Sequence, residues 1–289
     1  MNVPYHTGRR PLTIKITVRS HKPEKMIIQV HDADKPNTLF ENRYQTIVFN
    51  PKKKRYEDMF FIKMPQSPEN AIISVFNSVN GNKIKDGSFD VEMKEEPLKR
   101  WLLPMSIDNS NVREFIAFAQ EFSEDAGIIS AGFQNNPNSI YASNDGKLKI
   151  HYYDVLRDER REIRHKPSGQ MMRNPNFGRV VTTPMRTQVD TGIIEVSKQY
   201  ILQYTVPMRM AILLHEFNHF YVNRRPEDET EADLGALMIF LSLGYSKIAA
   251  YKAFTAVFKN ADNEGNRKRD KEIRDFIDNF ENMRFSRVA

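Results

Sequence analysis

Residues 208–222, which read MRMAILLHEFNHFYV, decide the fold of the second half of the chain. Wound as an α-helix, this stretch is apolar on nearly every side, so it predicts a buried helix. Residues four apart lie on one face of a helix, and His215 and His219 have this spacing. Glu216 follows His215 and is displaced from it by about 100° around the helix. The two imidazoles can therefore reach one point, and the Glu216 carboxylate lies beside that point.

These three polar side chains need partners, because an unpaired buried charge costs several kcal/mol. A bound metal ion satisfies all three at once, whereas the ordinary alternative is a pair of hydrogen-bonded core histidines with a surface glutamate. The chain has no cysteine, so a metal here is held by imidazole and carboxylate groups. Zinc in such a site lowers the pKa of a water to about 7, and Glu216 can take its proton as general base.

The third ligand is expected in the acidic segment that follows, residues 227–233, which read EDETEAD. Catalytic zinc usually has three protein ligands and one water. Glu229 and Asp233 are four residues apart and share a helix face, so one can bind metal while the other accepts the N–H of a ligating histidine. Glu231 points to a different side and is the reserve ligand. A simpler interpretation is that these acids only offset the dipole of the helix that begins here.

The sequence HEFNH followed by ETEAD resembles the gluzincin group of zinc metallopeptidases, in which HExxH is followed by ExxxD on the next helix. The resemblance implies His215, His219 and Glu229 as the zinc ligands. It also implies Glu216 as the catalytic general base and Asp233 as the residue that orients a histidine. The match is strict over these two motifs and loose over the elements before them.

Two further expectations come with this resemblance. The strand GIIEV, residues 192–196, would be the edge strand that pairs with an extended peptide substrate. Enzymes of this group also use a Tyr, His or Arg to stabilise the oxyanion. Tyr221 and Arg224 are nearby in the sequence, but the spacing selects neither of them.

The N-terminal part of the chain is rich in strand patterns. Leu12, Ile14, Ile16 and Val18 alternate with polar residues, which is the period of a sheet with one buried face. Further short apolar runs, with turn-rich stretches between them, lie at residues 26–30, 44–49, 59–64, 71–76 and 88–93. This pattern favours a small β-sandwich that serves as a binding or assembly module. The boundary is expected near residues 104–111, which divides the chain into domains 1–105 and 106–289.

The second part mixes helices and strands. Its sequence predicts a helix at 111–126, a hairpin around Asn144-Asp145-Gly146, a strand at 191–196 and helices at 207–222, 227–242, 246–260 and 267–280. The fold class is therefore α+β, with an N-terminal β-sandwich followed by a zincin-like metallopeptidase domain.

Charge and composition bear on two classes of function, membrane insertion and nucleic-acid binding, and on the location of the protein. The net charge is +6 and the mean hydropathy is −0.59, and no apolar run reaches the roughly 18 residues of a membrane span. Basic clusters lie at residues 52–55 and in an exposed loop at 157–180, where solvated side chains are the favoured interpretation and nucleic-acid binding the minor one. The mixed charges at 267–272 are interpreted as a solvated helix face. No signal peptide is apparent, so a cytoplasmic or virion-associated location is expected.

Two functions remain open at this stage. The first is a zinc metalloendopeptidase that acts on a protein or peptide substrate through Glu216. The second is a structural or assembly component, since the HEFNHF and EADLGALMIFLSLGY segments are similar to metallopeptidase-like virion proteins of tailed bacteriophages. In that case the partners would be other protein subunits of the particle.

Overall fold

The computed structural model describes residues 2–79, 83–85, 90–126, 138–164, 167–188, 190–222, 227–255 and 264–282. These residues form several antiparallel sheets and six α-helices, so the predicted α+β class is confirmed. The N-terminal strands are β1 (Asn2–His6), β2 (Leu12–Ser20), β3 (Glu24–Asp32), β4 (Leu39–Ile47), β5 (Phe49–Asn50), β6 (Arg55–Met64), β7 (Asn70–Val79), β8 (Lys83–Lys85) and β9 (Asp90–Pro97).

The N-terminal strands form two antiparallel sheets that share one apolar core. One sheet has the order β1-β7-β3-β4, with β8 paired to β7, and the other has the order β5-β6-β2-β9. The alternating residues Leu12, Ile14 and Ile16 of β2 are buried, and they pack in the same cluster as Met26 and Ile28 of β3. The alternating apolar residues of β2 therefore lie on the face of their sheet that packs against the other sheet, as in a β-sandwich.

The second part of the chain contains the six helices and the remaining strands. These elements are α1 (Ser110–Asp125), β10 (Asn138–Ala142), β11 (Lys149–Tyr153), β12 (Glu162–Arg164), β13 (Met171–Arg173), β14 (Met185–Gln188), β15 (Ile193–Ser197), α2 (Lys198–Ile201), α3 (Val206–Tyr221), α4 (Glu229–Ser242), α5 (Lys247–Thr255) and α6 (Glu264–Asn279). The predicted helices agree with these bounds within about three residues, except that residues 256–260 of the helix predicted at 246–260 lie outside the described residues.

The main sheet of this part corrects one expectation from the sequence. Its order is β10-β11-β15-β14, and β15 is parallel to β11 but antiparallel to β14. Strand GIIEV, which became β15, is therefore paired on both sides, and its assignment as the edge strand is wrong. Among the described residues, the edge position next to it belongs to β14, a strand that the sequence did not reveal. The loop at 157–180 was also predicted without regular structure, yet it contains the β12–β13 hairpin.

Helix α3 lies at the centre of the second core. The ring of Phe217 stacks on Phe115 of α1, with the two centroids 4.0 Å apart. Arg209 is only 2% exposed, and its guanidinium donates to the carbonyl oxygens of Leu202, Ser123 and Tyr204 at 2.9–3.3 Å. These hydrogen bonds hold the N-terminal end of α3 against α1 and against the segment before α3. The orientation of the helix face that carries the histidines is therefore fixed within the core.

Helices α3 and α4 approach closely at Gly235. A Cβ atom at this position would lie 2.1 Å from Oδ1 of Asn218, and the Asn218 side chain is fully buried. The Asn218 amide also donates to the Leu214 carbonyl at 2.7 Å, which ties the side chain to its own helix. The absence of a side chain at Gly235 therefore permits the helix spacing on which the site depends.

We predict that Gly235→Ala lowers the free energy of unfolding by about 1–2 kcal/mol. Overpacking a filled core costs about 1–3 kcal/mol, and the higher helix propensity of alanine returns at most about 1 kcal/mol. Urea denaturation measures the difference. The same substitution in an Asn218→Ala background has room for the new methyl group and should show no loss; an equal loss in both backgrounds would contradict this explanation.

Candidate metal centre

Three side chains that the sequence selected meet at one point. His215 and His219 come from α3, and Glu229 is the first residue of α4. The two histidine Nε2 atoms are 3.0 Å apart. Oε2 of Glu229 lies 3.4 Å from Nε2 of His215, and Oε1 lies 3.7 Å from Nε2 of His219. The structure thus brings together two imidazoles from one helix and a carboxylate from the next.

These separations fit a small metal ion. Zinc bonds to nitrogen and oxygen are about 2.0–2.2 Å long, and tetrahedral angles then put the donors about 3.3–3.6 Å apart. The two Nε2 atoms are 3.0 Å apart, slightly closer than this range, and each lies 3.4 or 3.7 Å from a different oxygen of Glu229. Two imidazoles with one carboxylate is also a donor set of catalytic zinc sites, which keep a fourth position open. The donor types and their proximity therefore fit a site that could hold a metal ion.

Asp233 lies behind the first histidine. Its Oδ1 is 2.9 Å from Nδ1 of His215, and its side chain is 3% exposed. A carboxylate at this nitrogen favours the tautomer with the proton on Nδ1, so that the Nε2 lone pair faces the cluster. Asp233 thus lies beside Nδ1 of His215 and Glu229 lies beside the two Nε2 atoms; their roles as orienting residue and ligand stay predictions.

Arg269 of α6 joins the site, although the sequence placed it on a solvated face. That interpretation is wrong, because the side chain is 15% exposed and lines the same cavity. Its Nε donates to Oδ2 of Asp233, and its Nη2 lies 3.1 Å from Oε2 of Glu229. The available signal was spacing: Arg269 lies four residues before the buried Ile273 and eight before the buried Ile277.

Glu216 of α3 lines the same cavity as the histidines. Its side chain is buried, and the hydroxyl of Thr187 donates to Oε2 at 2.6 Å. The same hydroxyl lies 2.9 Å from the Glu216 carbonyl oxygen. Thr187 belongs to β14, so the edge strand directly contacts the acid that the sequence selected as general base. The cavity has a volume of about 770 Å³ and is lined by both the histidines and β14.

The electrostatics of the cluster favour a positive charge at its centre. Burial alone would lower the pKa of His215, but hydrogen bonds to Asp233 and Glu229 raise it to about 10. The hydrogen bond with His215 in turn lowers the pKa of Glu229 to about 2. In the metal-free protein a proton on His215 and the charge of Arg269 together balance the two acids, and a bound cation would take over the role of the proton.

The other candidate residues lie elsewhere. Glu231 contributes no atom to the group of converging ligand atoms, and its backbone N–H donates to the Asp228 side chain that caps α4. The Tyr221 hydroxyl is 2.6 Å from Oδ1 of Asp145 at the tip of the β10–β11 hairpin. Arg224 lies outside the described residues. Tyr204 lines the cavity and was not singled out by the sequence.

No protein-family model, curated protein or solved structure matches this chain. None of the helices in the described part of the chain combines the length and the apolar character that crossing a membrane requires. Function is therefore inferred from the geometry of the site.

We predict that Glu229→Gln weakens zinc binding by more than about 100-fold, beyond the 10- to 100-fold loss typical of residues outside the ligand shell. Glutamine keeps the shape of the side chain but loses the anionic donor. Competition with a chromophoric chelator measures the affinity. Glu231→Gln is the matched control on the same helix turn and should bind zinc like the wild type; the reverse order of the two variants would show that Glu231 is the ligand.

Proposed function

We propose that this protein is a zinc-dependent endopeptidase whose second part is a zincin-like domain of the gluzincin kind. The observation that carries the proposal is the convergence of His215, His219 and Glu229 within one cavity that also contains the buried acid Glu216. Core histidines paired only with each other would not need two carboxylates and an arginine around them. A metal site explains why these charged groups are gathered at one place.

Bound zinc supplies a Lewis acid that polarises the scissile carbonyl and makes a water molecule more acidic. Glu216 accepts the proton of that water as it attacks and then delivers the proton to the leaving amine. Thr187 holds one oxygen of the Glu216 carboxylate. The other oxygen is thereby left to exchange the proton. Asp233 keeps the Nδ1 proton on His215, which preserves the direction of its ligand atom.

Strand β14 supplies the position for an extended substrate. It pairs with β15 on one side, and residues Met185, Arg186 and Thr187 line the cavity. An open sheet edge offers unpaired backbone groups, to which an extended peptide can add as a further strand. The substrate class that follows is an unfolded or extended polypeptide segment rather than a compact small molecule.

The assembly role remains a second proposal, and one observation favours it. The two-sheet module exposes several large apolar side chains, with exposed fractions of 71% for Tyr44, 51% for Phe49 and 48% for Met59. Exposed apolar groups of this kind are frequent at protein–protein contacts. Contact with other subunits, as in a phage particle, is compatible with peptidase activity, because an assembly component can also be a protease. The cytoplasmic or virion-associated location and the minor nucleic-acid role stay predictions.

We predict that Glu216→Gln retains zinc but loses about 10²–10⁴-fold in kcat, the usual contribution of a general acid–base residue. The glutamine amide cannot take up the proton. Zinc content is measured by elemental analysis, and cleavage is followed on a denatured protein substrate. Activity equal to that of the wild type in this variant would end the peptidase proposal.

We predict that Thr187→Val lowers kcat by about 10- to 100-fold, because a hydrogen bond to a charged group is worth about 1.5–3 kcal/mol. KM and zinc content should stay close to wild type, and Thr187→Ser should recover most of the activity. Thr191→Val is the control, since Thr191 lies in the β14–β15 turn and its hydroxyl contacts only Gln188 and the Ile193 amide among the hydrogen bonds described. A loss of equal size in Thr191→Val would point to damage of the hairpin instead.

A further inference from the structure

We infer that Arg269 is the positioning residue of the metal centre: one guanidinium from α6 fixes the ligand carboxylate of Glu229 and the orienting carboxylate of Asp233 together. The inference rests on the zinc site proposed above and adds a third structural element to it. The HExxH and ExxxD motifs place two helices around the ion, and Arg269 makes the docking of α6 part of the same site.

Asp233 and Glu229 each have one carboxylate oxygen close to Arg269, and their other oxygen lies close to a histidine. Asp233 uses Oδ2 for Arg269 and Oδ1 for His215. Glu229 has Oε2 within 3.1 Å of Arg269, while Oε1 is the oxygen nearer to His219. Oε2 is also the oxygen that lies 3.4 Å from Nε2 of His215. Arg269 would therefore hold the Glu229 carboxylate beside both histidines, where it would serve as the third donor to a metal.

The burial of Asp233 makes its contact with Arg269 necessary. The Asp233 side chain is 3% exposed, and a buried carboxylate requires a charged partner. Arg269 is a permanent cation beside Asp233, because a guanidinium does not lose its proton in proteins. It therefore stabilises the arrangement of the two carboxylates.

The position of Arg269 is itself fixed by packing. Helix α6 buries Ile273 and Ile277 in the main core, and Phe280 just beyond it packs edge-on against Trp101, with centroids 6.1 Å apart. These contacts anchor the C-terminal end of α6. The N-terminal half of the helix then carries Arg269 into the cavity. A side chain held in this way can position two acids without moving itself.

An electrostatic role and a positioning role of Arg269 predict opposite effects of its substitution on zinc affinity. A positive charge close to the ion repels it, so a purely electrostatic effect would give tighter zinc binding when the charge is removed. Lysine keeps the charge but replaces the planar fork by a single point donor that does not span both acids in the same way. Arg269→Lys therefore isolates the positioning effect.

The experiment measures zinc affinity by competition with a chromophoric chelator for wild type, Arg269→Lys, Arg269→Gln and the control Arg274→Lys. Arg274 is on the same helix, and its side chain pairs with Asp270 four residues earlier. We expect both Arg269 variants to bind zinc about 10- to 100-fold more weakly, as is typical when a residue supporting the ligands is lost. Arg274→Lys should match the wild type. Thermal unfolding of the metal-free proteins verifies that each variant is folded.

The outcomes separate this inference from the proposed function. Wild-type protein that binds no zinc would refute the zinc peptidase itself. Wild-type binding with unchanged affinity in Arg269→Lys, or tighter binding in Arg269→Gln, would overturn the positioning role alone. Loss of folding in both Arg269 variants would also overturn it, since the residue would then hold the fold rather than the site.

Discussion

The close approach of α3 and α4 at Gly235 is the constraint on which the rest of the site depends. Two histidines on one helix can bind a metal only weakly by themselves, and the third donor must come from an element packed tightly against them. Gly235 leaves space for the buried side chain of Asn218, and this contact brings Glu229 within 3.4 Å of His215. The spacing of the two helices therefore determines whether three ligand atoms meet or remain separate charges.

Around this contact, each acid of the site is held by a residue from another element. Thr187 of the edge strand contacts Glu216, while Arg269 of the last helix contacts Glu229 and Asp233. The acids are thus positioned from both sides of the helix pair. Such support restricts the carboxylates to narrow ranges of position, as the proposed chemistry at a metal would require. It also explains why the buried charges of Glu216 and Asp233 are tolerated beside an apolar core.

The local parts of this arrangement could be predicted from the sequence. The helical period of the apolar residues predicted α3, and their alternation predicted β2. The four-residue spacing of Glu229 and Asp233 predicted that both acids lie on one face of a helix. Contacts between distant elements could not be predicted in this way. Thr187 meets Glu216 only because a short strand of four residues lies beside β15. Arg269 lies in a run of charged residues and was therefore predicted to face solvent. Ile273, four residues later on the same face of α6, is buried.

Anomalous X-ray diffraction at the zinc absorption edge, from crystals grown with zinc, shows whether the three residues hold one ion. One strong anomalous peak per chain is expected, bounded by Nε2 of His215, Nε2 of His219 and a carboxylate oxygen of Glu229. Crystals in which this position shows no peak while zinc is bound elsewhere, or in which the ion is held without Glu229, would contradict the proposed site.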